Sequence, residues 1–377
     1  MELFLDIYLL CMELAASNLV MAALLLLTLR KARNSKANIM LAIWLIVLGI
    51  AFLNDILYRN KVFNTCPQLL DYDSYLLLLN GPLLYGYILY QTRPHFRLRA
   101  KHLLHLLWVV AYGILAWRFF TADKAVKFLS IKDPQWSAFP HYIIAGYLVK
   151  FQIIFYIVTC YRLLIQHNRV ILDLVSSLEN RRLQWLRNLL ISSTVIFLVW
   201  VLTNELTLSD ELMGLVFLGF SYWVAYHALS QEYLFQNVDT QQVANILEDT
   251  SDVRYKNSAL TNDNMQALKE QITAYMIQSK PYLNSELTLT TLANELQLNP
   301  YHLSQVLNEG FGENFYKFVN RYRIEESINL LVDPAFKHYT ILAIANEAGF
   351  NSKTTFNKTF KEYTGLAPSS YVKSILQ

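Results

Sequence analysis

The sequence predicts an all-α protein, with a seven-helix transmembrane bundle followed by a helical domain that contains two helix-turn-helix motifs. Hydrophobic residues make up 54% of the 377 residues and charged residues only 16%, as is typical of membrane proteins. Almost all of the long apolar runs lie before Tyr233, and shorter apolar patterns at helical spacing follow after Asp263. We therefore expect two domains in two different solvents.

Seven stretches of about 18 to 25 mostly apolar residues precede that boundary, and each is long enough to cross the hydrocarbon core of a bilayer. They lie at 3–29, 37–58, 74–91, 101–120, 139–166, 183–206 and 211–232. The third is the weakest, because Asn80, Gly81 and Pro82 interrupt it. The first begins with Glu2 and Asp6 instead of basic residues, and its apolar part is too long for a signal peptide, so we expect it to remain in the mature protein.

The distribution of Lys and Arg among the loops predicts the orientation of the bundle. The loops after the first, third and fifth stretches are rich in basic residues: Arg30, Lys31, Arg33, Lys36, Arg93, Arg97, Arg99, Lys101, Arg169, Arg181, Arg182 and Arg187. The alternate loops are poorer in them, and the last, at 204–211, has none. Because basic loops stay on the cytoplasmic side, the N-terminus is predicted outside and the C-terminal domain inside.

A few polar residues interrupt the apolar stretches, and each is costly in lipid unless it faces the bundle interior. They are Glu13, Asn54, Asp55, Asn80, Lys150 and Glu205. Lys150 is the deepest, and Glu13 and Asp55 are its candidate partners. Two interpretations remain open. Glu13, Asp55, Asn80 and Lys150 form a ligand pocket, or an ion pair among them only fixes helix packing. The aromatic residues that would wall such a pocket are Tyr72, Tyr75, Tyr85, Trp136, Tyr142 and Tyr147.

The sequence contains no pattern that predicts a metal, a cofactor or catalysis. Cys11, Cys66 and Cys160 form no CxxC pair and do not indicate a disulfide framework. His102 and His105 are spaced to share a metal, but no third ligand follows at helical spacing. GxxxxGK, HExxH and GxSxG are all missing, so we predict a protein that is not an enzyme.

The chain becomes polar between Gln236 and Asn264, and this segment is predicted to be a linker. The predicted domains are therefore 1–235 in the membrane, 236–264 as linker, and 265–377 as the C-terminal domain. An amphipathic helix opens that domain at 265–279. The first helix-turn-helix motif follows, with Asn299 as a natural N-cap and Pro300 in the first turn of its second helix. Leu303, Val306 and Leu307 point inward on that helix, and Tyr301, Ser304, Gln305 and Asn308 lie opposite.

A helix at 315–331 connects this motif to a second one between Thr340 and Tyr371. There, Gly349 provides a sharp turn and Ser352 a cap for the helix that follows. On that helix Phe356, Phe360 and Tyr363 share one sector, and Thr354, Asn357, Lys358 and Lys361 lie opposite. A second helix of this design lies in the major groove of DNA, although the pattern alone also fits an ordinary corner between two helices.

The run A-x-x-x-G-F-x-S-x-x-x-F-x-x-x-F-K-x-x-x-G-x-x-P-x-x-Y, from Ala345 to Tyr371, resembles the signature of the AraC/XylS family of bacterial transcription regulators. The resemblance covers about the last 115 residues. It implies that both recognition helices enter successive major grooves on one face of DNA. It also implies base contacts from Tyr301, Ser304 and Gln305, and from Lys353, Thr354, Thr355 and Lys358, with Asn357 on the same polar face. Leu307 and Asn308 depart from the family pattern, and this removes one phosphate contact.

From Asp263 onward the chain has ten Lys and Arg against eleven Asp and Glu, so nonspecific affinity for DNA should be modest. A homodimer would compensate by doubling the contacts. The sequence thus predicts a regulator in the bacterial inner membrane that binds specific double-stranded DNA. Its other predicted partners are membrane lipid and an unidentified small-molecule or peptide signal, sensed outside the cell or within the bilayer. The alternative is a transporter or membrane enzyme that carries a regulatory helix-turn-helix domain.

Overall fold

The computed structural model describes residues 2–28, 35–70, 72–93, 96–123, 127, 140–176, 184–206, 210–230 and 262–375. Regular secondary structure in these ranges is helical, and the one extended pairing within them is an isolated bridge between Val175 and Thr288. The predicted all-α fold class is confirmed. Contacts divide the chain into two compact units: Met1–Ile165 with Leu183–Gln236, and Gln166–Arg182 with Asn237–Gln377.

The first unit is built from long apolar helices. They are α1 (Glu2–Thr28), α2 (Ser35–Arg59), α3 (Val62–Thr65), α4 (Tyr72–Thr92), α5 (Leu107–Leu115), α6 (Trp117–Phe120), α7 (Pro140–Leu174), α8 (Gln184–Leu206) and α9 (Asp210–Ser230). Helix α1 packs against α2 and α9, and α2 packs against α4. Four segments of the described helices are long and apolar enough to cross a membrane: Asp6–Thr28, Lys36–Tyr58, Gly146–Leu174 and Gln184–Leu202.

The remaining predicted spans have shorter or interrupted counterparts. The span predicted at 101–120 is not one α-helix, because a 3₁₀ segment over Ala100–Leu106 precedes α5 and α6. The last predicted span corresponds to a shorter apolar helix over Met213–Leu229. The third corresponds to α4, which contains Pro82. The count of seven spans therefore stays a prediction.

The outer faces of these helices carry many large apolar side chains. Among the most exposed are Leu10, Met21, Leu24, Leu107, Ile114, Phe151, Val195 and Leu198. Small residues occupy the inner contacts instead. At Gly49 an added Cβ would lie 3.1 Å from the carbonyl oxygen of Ala16, so α1 and α2 approach closely. Apolar residues outside and small residues between helices are the pattern expected for helices surrounded by lipid.

The third predicted span is continuous as α4, from Tyr72 to Thr92, although Pro82 lies inside it. Proline has no backbone N–H, so the carbonyl of Leu78, four residues earlier, has no donor from its own helix. The buried Gln152 side chain of α7 supplies one, with its Nε2 donating to Leu78 O at 2.6 Å. At Gly81 an added Cβ would collide with the ring of Tyr156. The helical hydrogen bond that Pro82 removes is therefore replaced where α7 contacts α4.

The second unit contains the C-terminal helices. They are α10 (Asn262–Ser279), α11 (Leu289–Glu295), α12 (Pro300–Gln305), α13 (Phe315–Val332), α14 (Ile341–Glu347), α15 (Lys353–Thr364) and α16 (Pro368–Ile375). A π-helical turn, Val306–Gly310, extends α12. The predicted amphipathic first helix is confirmed as α10. The predicted linker lies outside the described residues as far as position 261.

Helix α13 contributes to two separate cores in this unit. Phe315, Phe318 and Val319 belong to the core that contains α11 and α12, whereas Ile324 belongs to the core that contains α14 and α15. All four side chains are almost completely buried. The predicted connecting helix between the two motifs is thus confirmed, and it holds each motif through a different stretch of its length.

One part of the second unit differs from the predicted domain boundaries. The segment 166–182 was assigned to the membrane domain with the rest of 1–235, but it clusters with the C-terminal residues. Helix α7 continues beyond the predicted end at 166 as far as Leu174. Ile171, Leu174 and Val175 are buried in the core that contains α11 and α12. The apolar pattern of α7 continues past the span because its last residues belong to this second core.

Candidate nucleic-acid interface

The second helix-turn-helix motif consists of α14, a turn and α15. Thr340 and Ser352 cap the two helices, with Thr340 Oγ1 accepting from Ala343 N at 3.1 Å and Ser352 Oγ from Thr355 N at 3.3 Å. Gly349 in the turn has φ of 91°, and an added Cβ would collide with the carbonyl oxygen of Tyr282. Glycine is required here for both reasons. The predicted turn and cap are confirmed.

Helix α15 has one buried and one exposed face. Phe356 and Phe360 are completely buried, and the ring of Tyr371 packs edge-on against Phe360 with centroids 5.3 Å apart. Tyr363 was predicted to share this buried sector, and that expectation is wrong. It is 48% exposed, because it lies in the last turn of α15, and its hydroxyl donates to Glu325 Oε1 at 2.9 Å.

The opposite face of α15 carries most of the predicted DNA contacts. Lys353, Thr354, Asn357 and Lys358 are exposed, and Thr355 is half-buried. Lys358 Nζ lies 3.7 Å from Glu362 Oε1, with both side chains 64% exposed. An ion pair this exposed adds little stability, so Lys358 can exchange Glu362 for a phosphate at small cost. These side chains together present a polar surface with two positive charges.

The first motif is built differently. Asn299 caps α12, with its Oδ1 accepting from Tyr301 N at 2.9 Å, as predicted. The turn before it contains Gln297 with φ of 57°, a left-handed conformation at a residue that has a Cβ. Leu303, Val306 and Leu307 are completely buried, and this confirms the predicted inner face.

The predicted base contacts of the first motif are less accessible than those of the second. Tyr301 and Ser304 are half-buried, and Asn308 Nδ2 donates to Ser304 Oγ at 3.4 Å. Gln305 is only 6% exposed, and its Nε2 donates to Glu309 Oε2 at 2.9 Å. Its amide would have to leave Glu309 to reach a base. The DNA contacts of both motifs stay predictions, and Gln305 is the least accessible of them.

Comparison with known proteins identifies this region. The family described as "Helix-turn-helix domain" matches residues 292–374, which include α13, the whole second motif and all but the first three residues of the first motif. The C-terminal domain is an AraC-type helix-turn-helix domain. The resemblance found in the sequence is therefore confirmed, and the alternative of an ordinary corner between two helices is set aside.

Several staphylococcal regulators are similar to this chain. An uncharacterized response regulatory protein of Staphylococcus epidermidis is 28% identical over 162 residues, covering 40% of this chain and 62% of the relative. The transcriptional regulatory protein HptR of Staphylococcus aureus is 31% identical over 96 residues, covering 26% of this chain and 36% of the relative.

An uncharacterized HTH-type transcriptional regulator of Staphylococcus aureus is 29% identical over 117 residues, covering 31% of this chain and 14% of the relative. The chain thus spans between about a seventh and about three-fifths of the length of these relatives. No solved structure matches the chain.

Arg321 on α13 of the AraC-type domain is held by carboxylates of its own unit. Its Nε lies 3.2 Å from Glu313 Oε2, and its Nη1 lies 3.6 Å from Glu325 Oε1. Burial alone would lower the pKa of Arg321, but the neighbouring Glu313 and Glu325 raise it overall. The geometry therefore favours an ion pair for Arg321 over contact with a DNA phosphate.

Arg323, two residues later, is 1% exposed and therefore cannot contact a phosphate. Its guanidinium donates to Tyr282 O at 2.7 Å, to Asn284 O at 2.8 Å and to Asn320 Oδ1 at 3.4 Å. Burial lowers its pKa to about 10, which still leaves the group charged at neutral pH. Arg323 thus connects α13 to the turn before the first motif, and the Tyr282 carbonyl of that turn touches Gly349 of the second.

Arg323 also bonds Ser176, which lies two residues after the end of α7. Arg323 Nη1 donates to Ser176 O at 3.1 Å, and Nη2 donates to Ser176 Oγ at 3.0 Å. Asn320 Nδ2 donates to the same carbonyl at 3.1 Å, and Ser176 Oγ donates to Leu287 O at 2.6 Å. Val175 bridges Thr288, the N-cap of α11. Sequence reasoning missed this segment, although the apolar residues that continue past the predicted span were a signal of it.

The polar residues predicted to form a pocket or an ion pair in the apolar unit differ in their exposure and contacts. Glu13 is exposed on α1, Asn80 is half-buried on α4, and Lys150 Nζ lies 5.6 Å from the ring centroid of Tyr147. The side chains of Asp55, Trp136, Tyr142 and Glu205 lie outside the described residues. The two interpretations of Lys150, a ligand pocket or an ion pair that only fixes helix packing, therefore both stay predictions.

Among the described residues, no three or more His, Cys, Asp or Glu side chains form a cluster suited to a metal ion. The two histidines that the sequence singled out have other contacts: His102 Nδ1 accepts from Arg99 N at 2.9 Å, and His105 Nδ1 lies 2.7 Å from the hydroxyl of Tyr156. Cys11, Cys66 and Cys160 are free thiols.

Proposed function

We propose that this protein is a membrane-bound transcription regulator that binds specific DNA sequences and couples a signal received by its apolar unit to gene expression. One observation carries the proposal. A single chain joins four helices long and apolar enough to cross a membrane to an AraC-type domain with two helix-turn-helix motifs. The basic loops after the first, third and fifth apolar stretches support a cytoplasmic position for that domain, where DNA is accessible.

The exposed face of α15 supports DNA binding by charge and by hydrogen-bonding chemistry. Lys353 and Lys358 can neutralise phosphates or bond guanine, and Asn357 can bond adenine with both groups of its amide. The net charge of the domain is close to zero, so this local positive charge has to act together with the first motif. We therefore propose that specific binding needs both motifs, and that a second protomer doubles their contacts.

Helix α7 supports the coupling of signal to output. Its residues from 146 belong to a segment long enough to cross the membrane, and its last turn enters the core of the AraC-type unit. Ser176 then bonds Arg323 on α13, the helix on which both motifs pack. A shift of α7 would therefore act on the helix that fixes the spacing of the two recognition helices. A ligand produces such a shift only if it binds one position of α7 better than another.

The first test concerns location and DNA binding. The full-length protein should remain in bacterial membranes after carbonate extraction, and in nanodiscs it should protect specific operator sequences from cleavage. The double variant Lys353→Ala and Lys358→Ala should stay in the membrane and lose this protection. Full extraction by carbonate, or equal binding to random DNA at moderate salt, would refute the proposal.

The second test concerns the coupling through Ser176. Ser176→Ala removes the hydroxyl that bonds Arg323 and Leu287 but keeps the carbonyl, so we expect the domain to fold and its operator affinity in nanodiscs to change several-fold. Ser370→Ala, at an exposed serine on α16, is the matched control and should leave the affinity unchanged. Equal affinities for wild type and both variants would exclude α7 as the route of coupling.

A further inference from the structure

The first unit contains a cavity with a volume of about 160 Å³, lined by residues of α2, α4, α7, α8 and α9. Its walls are mainly aromatic and aliphatic, and Trp200 and Phe217 are among them. Asn80, the polar residue that interrupts the third predicted span, also lines it. The cavity therefore lies near Pro82 of α4, where the Gln152 amide donates to the carbonyl of Leu78.

Three of the residues that line the cavity carry a buried polar atom with no hydrogen-bond partner among the described residues. These atoms are Trp44 Nε1, Asn80 Oδ1 and Ser193 Oγ, from three different helices. Trp44 is only 4% exposed. A buried polar group without a partner costs about 1 to 3 kcal/mol, so such groups are rare in folded proteins. Three of them around one cavity indicate a bound molecule that supplies the missing partners.

We propose that this cavity binds a small, uncharged molecule that has one aromatic ring or a short alkyl chain and carries a hydroxyl or amide group. Trp44 offers a donor, Asn80 an acceptor, and Ser193 either, and a hydroxyl or an amide can pair with each of these groups. A cavity of about 150 Å³ lined by apolar side chains is large enough for benzene, and this sets the size of the ligand. The inference rests on the proposed function, because it identifies the chemical class of the signal.

This cavity differs in charge from the pocket that the sequence predicted. None of the described residues that line the cavity is charged, and Lys150 and Glu13 are not among them. An ionised ligand would lose its hydration here without gaining an opposite charge, which is strongly unfavourable. The cavity thus selects a neutral ligand. Part of its wall is formed by α7, the helix that precedes Ser176. Val149 and Tyr156 of α7 both line it.

The test uses 4-bromophenol as the probe, because it has the predicted size and hydroxyl and because bromine quenches tryptophan fluorescence. Trp44 and Trp200 line the cavity and would report its occupancy. The full-length protein in nanodiscs is titrated with 4-bromophenol, with bromobenzene, which lacks the hydroxyl, and with 4-bromobenzoate, which is charged. We expect saturable quenching by 4-bromophenol, weaker binding of bromobenzene and no saturable quenching by 4-bromobenzoate.

Adjacent serines provide a matched pair of variants. Ser193→Ala removes one of the polar atoms without a partner, whereas Ser192→Ala removes a hydroxyl that donates to Leu189 O of its own helix at 3.0 Å. One neutral hydrogen bond corresponds to a three- to tenfold change in affinity. Ser193→Ala should therefore raise the Kd for 4-bromophenol about three- to tenfold, and Ser192→Ala should leave it within about twofold. Val149→Phe fills the cavity and should abolish saturable binding.

Non-saturating quenching that is equal in wild type, Ser193→Ala and Ser192→Ala would overturn the inference, because it means that the probe only partitions into lipid. Quenching by brominated acyl chains that 4-bromophenol does not displace would overturn it as well, since a lipid tail would then be the occupant. If Val149→Phe does not fold, the serine pair alone decides. Operator protection by the same nanodiscs is measured in parallel, so a failure at the cavity is distinguishable from a failure of the regulator proposal.

Discussion

The two helix-turn-helix motifs share a framework but expose different chemistry. In the second, α15 is 12 residues long and presents two exposed lysines. In the first, α12 has six residues before a π-helical turn, its polar side chains are half-buried, and Gln305 is bonded to Glu309. From this difference we expect the two motifs to contribute differently to DNA binding. The second motif would supply the positive charge that attracts DNA, and the first would supply neutral contacts that depend on a fixed side-chain position.

The largest effect is expected where the two motifs depend on the same residue. Arg323→Ala leaves the acceptors Tyr282 O and Asn284 O without their buried donor, whereas Ser176 O keeps the bond from Asn320 Nδ2, and each buried acceptor left without a partner costs about 1 to 3 kcal/mol. Thermal unfolding and limited proteolysis of the full-length protein should show both motifs unfolding early. Arg321→Ala, in a partly exposed ion pair, should cost less than about 1 kcal/mol. Equal losses from the two variants would contradict the shared role of Arg323.

Substitutions in the turns of the two motifs should change the stability of the domain in opposite directions. Gly349→Ala places a Cβ against Tyr282 O at φ of 91° and should cost more than about 1 to 2 kcal/mol. Gln297→Gly relieves a left-handed residue at φ of 57° and should stabilise the domain by up to about 1 kcal/mol. Thermal unfolding measures both variants. A stabilising effect of Gly349→Ala would show that the second turn is less constrained than its geometry indicates.

The proposed charge of the second motif can be tested through salt dependence. Lys358→Ala should weaken binding to all sequences and reduce the slope of log affinity against log salt by about 1. Glu362→Gln removes the carboxylate 3.7 Å from Lys358 and should strengthen binding slightly. Binding is measured on operator and random DNA between low and moderate salt. An unchanged slope in Lys358→Ala would remove this lysine from the phosphate contacts.

The smallest effect on DNA recognition is expected at Gln305. While its amide stays bonded to Glu309, Gln305→Ala should change discrimination at any base pair by less than about 1 kcal/mol. Ser304→Ala, at the half-buried neighbour, provides the comparison within the same helix. Competition binding against single-base operator variants gives the answer. A loss of about 1 to 3 kcal/mol confined to one base pair would show that Gln305 leaves Glu309 on binding.

Local patterns predicted much of the AraC-type domain. The caps at Asn299 and Ser352, the turn at Gly349 and the connecting helix all depend on residues close in sequence, so periodicity and capping preferences were sufficient. Tyr363 was misassigned because helical spacing places it near Phe360 but says nothing of where the core ends. The burial of Arg323 and Gln305 depends on partners distant in sequence or on exact side-chain packing, which no local pattern contains.

In the apolar first unit, even more of the structure depends on contacts that local sequence patterns do not contain. Composition and length identified apolar helices, but the number of spans depends on how α4 accommodates Pro82 and on the 3₁₀ segment over Ala100–Leu106. The contact of Gln152 with Leu78 joins residues 74 positions apart. The cavity lined by Trp44, Asn80 and Ser193 likewise requires three helices to be placed together, so the sequence could identify Asn80 as unusual but not its neighbours.

The contact of Ser176 with Arg323 has a consequence for engineering chimeric sensors from this protein. A fusion made at the linker near position 237, which the domain boundaries in the sequence suggest, would transfer the DNA-binding helices without residues 171–176. The transplanted output would then expose a groove lined by apolar side chains and leave Arg323 short of two acceptors. A functional exchange of input modules should therefore preserve the C-terminal end of α7 and residues 175–176 from this chain, or graft a matching hexapeptide into the new host.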